Sequence, residues 1–408
     1  MNHVPSNRLA FLMLLLMALP AQPIGFAMQP RLDPQTGRIR VLHMGDGIWG
    51  SRPGLLLSSD PKIDLSMVPI ITVWYTPEEI ARYIRLYMPR NFEDLVNGYD
   101  LVVLGDCDAS AVSSKWQTAF KQGVDEEGLG LLMTGGHRGF GGGSQQQGEW
   151  QGTVVEQEVL PIFVFTQGTV DGPVRMRVVA NDNPLMTSLP WETAPILGGL
   201  NKASIKEGAV LLADDGSGVH NPVFAFWDIG AGRSTVFLSD VHGAVDGTQI
   251  WVMDWVYWTD CMLNLAYYSG GVEVPQDFVQ MHLIRSYFQT YQSRMTLLGD
   301  LINFVAGFGA NPAGMERMLA SVKEAKREAD QLYLHQEYQE GLERLKDVLD
   351  QLNQLDDAAV KMRERALLWV YLTEWLVVTG TFIVMGVFVW TLMVKRRLYR
   401  QVGTTRST

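Results

Sequence analysis

Between Trp375 and Val394 the chain runs for 20 residues without a charged side chain. Nothing else in the sequence limits the fold so strongly. A helix of about 20 residues, rising 1.5 Å per residue, spans roughly 30 Å, the thickness of a bilayer's hydrocarbon core. Glu374 falls at one boundary. Trp369, Tyr371 and Trp375 gather at the same boundary and Trp390 lies near the other, as an aromatic belt does. Lys395, Arg396, Arg397 and Arg400 follow at once, and basic flanks stay on the cytoplasmic side. A buried core helix would require neither the flanking charge nor the placed aromatics. Segment 366–394, counting its interfacial flank, is therefore expected to cross the cell membrane once. The lipid bilayer is its partner, and 395–408 forms a short cytoplasmic tail.

The amino-terminal end fits that orientation. Arg8 precedes an apolar run from Leu9 to Leu19, and Gly25 and Ala27 have the small-x-small spacing of a cleavage site. Residues 1–27 thus read as a secretory signal peptide, with an uncleaved anchor as the competing reading. The bulk of the chain is then extracytoplasmic. With 408 residues and 47% hydrophobic content there is material for a sizeable core and more than one unit. A net charge of -11 excludes the basic footprint of a nucleic-acid binder. Cys107 and Cys261 are the two cysteines; neither forms a CxxC or zinc-type spacing, and their pairing is open at this point.

From Arg38 onward, short apolar runs alternate with helical patterns. "IRVLHM" and "SMVPIITVWY" read as strands, Pro69 marking an edge or early position. "TPEEIARYIRLYM" announces a helix, with Thr76 as N-cap, Pro77 first and Glu79 closing a capping box. "YDLVVLGD" and "LGLLMTGG" are strands flanking the helix "SSKWQTAFKQGVDEEG". Continuous apolar strands between helices predict a mainly parallel, doubly wound α/β sheet. Beyond Trp150, "PVRMRVVA", "AVLLA", "PVFAFWDIG" and "RSTVFLSD" are strand candidates, some antiparallel. "TQIWVMDWVYWTDCMLNLAYYSG" reads as a buried closing helix. The α/β domain is expected over 28–274. From Pro275 helical patterns take over, giving an α-helical stalk over 275–365. Tyr338, Leu342, Leu345, Leu349 and Leu352 form a short heptad seam; a single tetratricopeptide-type hairpin is the alternative.

"YDLVVLGD" before a helix and "GLLMTGGHRGFGGG" after it, followed by Trp150 and "VLPI", resemble the class I glutamine amidotransferase-like superfamily. The closer resemblance is to the membrane-anchored amidotransferase-like domains within it. "FAFWDIGAGRSTVFLSDVHG" is similar to a segment of ThuA-like relatives. The resemblance covers Arg38 to Tyr268 and implies a flavodoxin-like sheet. It also implies a glycine-flanked nucleophilic cysteine after the fourth strand, served by a histidine and an acid. This chain departs there. Met133-Thr134-Gly135-Gly136-His137 holds neither cysteine nor serine, and Thr134 suits a strand interior better than a turn. Cys107 lies between Asp106 and Asp108, which disfavour its thiolate.

What remains is a set of polar residues at strand ends: His43, Asp46, Asp106, Asp108, His137, Asp240 and His242. In an open parallel sheet these ends border the binding crevice. The bland alternative makes the aspartates turn and cap residues and His43 a hydrogen-bonded core side chain. No cofactor is expected. A divalent metal at His43, Asp106, His137 and His242 is the enzymatic alternative, although no HxH or HExxH spacing supports it. The run Gly139–Gly143 lacks both the P-loop Lys-Ser/Thr and the GxGxxG spacing, and is expected to be a mobile surface loop suited to touching a partner. Three functions follow. Preferred is non-catalytic recognition of a small ligand, an envelope component or a membrane protein. Next is the metal-assisted hydrolase. The third is a structural subunit that oligomerises through the stalk, in which case Asp at Leu345 and Leu349 abolishes oligomers.

Overall fold

The structure, a computed structural model, describes residues 28–46, 52–72, 74–141, 149–241, 252–307 and 313–404. The expected signal peptide and His242 lie outside these residues. The chain divides into two units: residues 1–58 with 62–278, and residues 279–408 with the turn 59–61.

In the first unit the alternation takes the form β1 (Ile39–Gly45), α1 (Arg52–Ser59), β2 (Ile63–Pro69), α2 (Pro77–Tyr87), α3 (Phe92–Gly98), β3 (Leu101–Gly105), α4 (Ser114–Glu127) and β4 (Gly130–Gly135). After it come α5 (Val154–Glu158), β5 (Ile162–Val174), β6 (Arg177–Val178), α6 (Pro184–Thr187), β7 (Leu197–Ile205), β8 (Val210–Asp214), β9 (Pro222–Ile229), β10 (Gly232–Asp240) and α7 (Trp258–Ser269). Eight strands form one mixed sheet in the order β2-β1-β3-β4-β10-β9-β8-β6. Pairings from β2 through β10 are parallel; β10–β9, β9–β8 and β8–β6 are antiparallel. β5 and β7 make a separate antiparallel pair.

The parallel strands are apolar on both faces because both faces are covered. Val41, Leu101, Val103 and Leu132 pack with Cys261, Leu265 and other residues of α7. On the alternate positions, Leu42, Met44, Val102, Leu104, Leu131 and Met133 pack with Leu95 of α3 and with Trp116, Phe120 and Val124 of α4. Pro69 closes the edge strand, where its missing N–H costs no ladder bond. The capping box at α2 forms as expected: Thr76 Oγ1 accepts from the Glu79 amide at 3.3 Å, and Glu79 Oε2 from the Thr76 amide at 2.9 Å.

Several boundaries differ from the sequence expectation. β2 starts at Ile63, so "IITVWY" lies beyond it. "PVRMRVVA" contributes only Arg177 and Val178 to the sheet. The closing helix begins at Trp258, after a 3₁₀ turn at Val252–Asp254; residues 242–251 lie outside the described residues. The β5–β7 pair was not anticipated. Gly168, Gly172 and Pro173 interrupt β5, and its register slips twice, which erases the period-two pattern.

The second unit is helical: α8 (Phe278–Gly307), α9 (Ala313–Leu334) and α10 (Tyr338–Thr404). Leu342, Leu345 and Leu352 of the seam are buried against side chains such as Phe288, Ala325, Ala329 and Tyr333, Leu349 is partly buried, and Val348, outside the seam, is buried with them. The chain's own helices thus occupy that stripe, and Asp at Leu345 would report on the fold of this unit before it reported on assembly. Asp60 is buried here as well, accepting from Tyr333 Oη at 2.9 Å with Arg285 Nε 3.5 Å away. Removing one member of such a buried pair strands the other, at about 3–5 kcal/mol. Further along α10 lies one segment that is long and apolar enough to cross a membrane by length and composition, with a mean hydropathy of 2.2 and no residue of that window buried.

Candidate functional site

β1, β3, β4 and β10 lie side by side and parallel, so the segments leaving their carboxyl ends meet. Asp46 follows β1 directly, its amide donating to the Gly105 carbonyl of β3 at 2.9 Å. His43 and Asp46 are both buried, with Nε2 and Oδ1 3.8 Å apart. They lean over Gly105: a Cβ there would stand 2.8 Å from His43 Nε2 and 2.9 Å from Asp46 Oδ1. Glycine at the end of β3 is what lets the two side chains approach.

Asp106 comes next and turns the chain at φ 42°, a region few non-glycine residues enter. Its Oδ1 accepts the amides of Arg138 at 2.6 Å and Gly139 at 2.9 Å, both from the segment after β4. Its carboxyl group fills the space above Gly136, where a Cβ would fall 2.3 Å from Oδ1. Burial pushes this carboxyl up to about 7, with Asp240 and then Asp46 adding like-charge repulsion, while the two amides pull it down. Asp240 reaches the cluster because β10 pairs with β4 and slips in register just before it.

The other expected residues separate. Asp108 is largely a turn residue: Oδ1 accepts from the Ser110 amide and hydroxyl, capping the 3₁₀ turn Ala109–Ala111. Its Oδ2 still faces the site, 3.4 Å from Arg138 Nη1 and 3.3 Å from Thr72 Oγ1. His137 is exposed, so the side chain expected to stand at the mouth of the site is turned to solvent. His43, Asp46, Asp106, Asp108 and Asp240 come together, and His137 does not join them. Among the described residues no three of His, Cys, Asp or Glu are grouped as a metal ion would need.

Asn201 on β7 escaped the sequence reading. It is buried, its Oδ1 accepts the Gly136 amide at 3.0 Å, and its Nδ2 donates to the carbonyls of Gly136 at 3.1 Å and Gly139 at 3.4 Å. An isolated Asn inside an unrecognised strand carries no sequence signal. Phe140 and Trp150, both fully buried, pin the loop where it leaves and returns, and the Trp150 amide donates to the Phe140 carbonyl at 3.1 Å. Over Gly136–Gly141 the expectation of a mobile surface loop therefore gives way to a clamped segment. Gly142 and Gly143 lie outside the described residues.

At the end of β4 there is no room for a side chain at either glycine. A Cβ on Gly135 would meet Asn201 Oδ1 at 2.5 Å, and Gly136 has φ 142° beneath Asp106. Cys107 is fully buried, its carbonyl bonded by Trp150 Nε1 at 2.7 Å. Burial first, then Asp108 and Asp106, push its thiol well up. Cys261 is raised too, by burial and by Asp260. The two belong to core clusters on opposite faces of the sheet and are free thiols, which closes the question of their pairing.

Residues 80–267 match the model of the family described as "Putative glutamine amidotransferase". That segment is similar to this family. The match includes Asp106, Asp108, Arg138, Asn201 and Asp240, and begins after His43 and Asp46. Among solved structures, the cytoplasmic protein STM3548 of Salmonella typhimurium is 20% identical, with 57% of this chain and 99% of that one covered at a TM-score of 0.46. The cytoplasmic protein STM1381 of Salmonella typhimurium LT2 is 21% identical over the same shares, with the same TM-score. A search of curated proteins gave no match.

Proposed function

We propose that this chain is a membrane-anchored, extracytoplasmic amidotransferase-like domain that recognises a ligand or an envelope partner and does not hydrolyse glutamine. Its α/β unit is read as doubly wound, and the apolar segment of α10 as the anchor, with the basic tail in the cytoplasm. The observation that carries the proposal is steric. The strand end where the family's nucleophile would stand is filled by the Asp106 carboxyl above Gly136, and Cys107 is sealed in the core. A thiolate is the attacking species in such chemistry, and burial beside carboxylates suppresses it. The strand-end cluster of His43, Asp46, Asp106, Asp108, Arg138 and Asp240 keeps hydrogen-bonding groups of both signs, which suits recognition of a polar group.

The test combines crosslinking in the native membrane with a glutaminase assay. The expected result is a stoichiometric partner or ligand that is lost in Arg138→Gln, and no release of ammonia from L-glutamine. A chain recovered alone that releases ammonia overturns the proposal.

A further inference from the structure

Gly105 ends β3 in register with Thr134 of β4, so the two residues share one face of the sheet, about 4.8 Å apart. His43 and Asp46 lean into the space that a side chain on Gly105 would take, and Thr134 therefore stands beside them. Thr134 is 1% exposed, and among the described residues its hydroxyl has no hydrogen-bond partner. Buried hydroxyls are normally bonded, because burial takes away their water. The surrounding charge decides what suits this one. Asp46 and Asp240 lie close enough to Asp106 for like-charge repulsion to help raise its carboxyl. Arg138, whose amide meets Asp106, turns its guanidinium to Asp108 at 3.4 Å. Thr134 thus stands in a largely buried cluster with more negative than positive charge.

We propose that this cluster binds the protonated amine of a small organic ligand, with Thr134 Oγ1 accepting one of its N–H bonds and Asp46 and Asp240 balancing its charge. The proposal names the ligand class of the site read above and rests on that reading. An ammonium group brings three donors and one positive charge, where the cluster is rich in acceptors and negative. It also holds Asp106 as the anion, the form that the Arg138 and Gly139 amides favour. A metal ion fits less well. It takes about three protein ligands or more, and among the described residues no three of His, Cys, Asp or Glu are so grouped. An anion would meet the carboxylates as like charges. No covalent bond changes.

Ethylammonium chloride titrated into the full-length protein in detergent micelles tests this, with thermal unfolding as the readout. Sodium chloride at equal ionic strength and 1-propanol at equal concentration are the references. A saturable rise in Tm is expected with ethylammonium alone. Thr134→Val keeps the shape of the side chain and removes the hydroxyl. Without ethylammonium it should melt no lower than the wild type, since it discards an unsatisfied group. It should bind ethylammonium at least about tenfold more weakly. Asp240→Asn should weaken binding likewise; if it fails to fold, Thr134→Val decides alone. No rise in Tm, or an equal rise with either reference or with calcium chloride, overturns the ammonium site. So does wild-type affinity or a lower starting Tm in Thr134→Val, because the hydroxyl then serves the fold. A flat titration in a chain that captures its partner removes this site and leaves recognition standing. Saturable binding in a partner-free chain that releases ammonia from L-glutamine does the reverse.

Discussion

The segments that leave β3 and β4 occupy neighbouring positions at the same edge of the sheet, yet they divide the work unequally. After β4 the chain presents backbone: Gly135 and Gly136, then the amides of Arg138 and Gly139. After β3 it presents side chains, with Asp106 reaching across and Asp108 holding its own turn. The third strand supplies a carboxyl that lies over Gly136, and the fourth supplies backbone donors. The difference teaches that the side chain over one strand end can come from the strand beside it.

Placing a side chain at Gly136 is the harshest way to break that comparison. Gly136→Cys puts a Cβ 2.3 Å from Asp106 Oδ1 on a backbone at φ 142°. Backbone strain and overpacking each cost about 1–3 kcal/mol, so a loss of roughly 3 kcal/mol or more is expected, read by thermal or denaturant unfolding. The variant should show no glutaminase activity. A stable Gly136→Cys protein would mean that Asp106 moves aside easily and does not own the space. Asn201→Ala comes next. It strands the half-buried Gly136 amide and removes two donated bonds, for about 2 kcal/mol. Exchange at the Gly136 and Gly139 amides should rise well before global unfolding. Equal rises everywhere would show that Asn201 serves the whole fold and not this clamp.

The strands on both sides of the comparison were legible in the sequence and the contacts between them were not, for physical reasons. Strand ends at Gly45, Gly105 and Gly135 were visible because continuous apolar runs stop at glycine, and Asp at such ends is readable as a turn or cleft residue. The capping box at Thr76 and Glu79 was visible because it is local. Which polar residues converge depends on strand order, and a slip in β10 that brings Asp240 alongside Gly135 leaves no trace in composition. His137 looked central because it follows the glycine pair, but the turn that aims two amides inward exposes its side chain. Asn201 acts across 65 residues of chain, from a strand whose pairing with β5 slips in register. Long-range clamps of this kind are set by tertiary placement and have no local period.

Global stability against pH sharpens the comparison further. Because the Asp106 carboxyl is raised in the fold, its contribution is complete below its unfolded value of about 4 and is lost as pH climbs to about 7. Unfolding measured over that window should show stability falling with pH in the wild type and a shallower slope in Asp106→Asn. Identical slopes would mean the carboxyl is already charged in the fold, with the two amides outweighing burial and Asp240.

The smallest effect belongs to the remaining thiol. Cys107→Ala removes one fully buried sulfur beside Leu104 and Trp150 and should cost about 1 kcal/mol, the scale of a small unfilled cavity. Because the thiol is sealed and its pKa raised, iodoacetamide should label it only after unfolding, and partner capture should survive its loss. Prompt labelling of the folded protein at Cys107, abolished in Cys107→Ala together with capture, would return the reactive group to the thiol. The carboxyl after β3 would then be a neighbour of the site and no longer its centre.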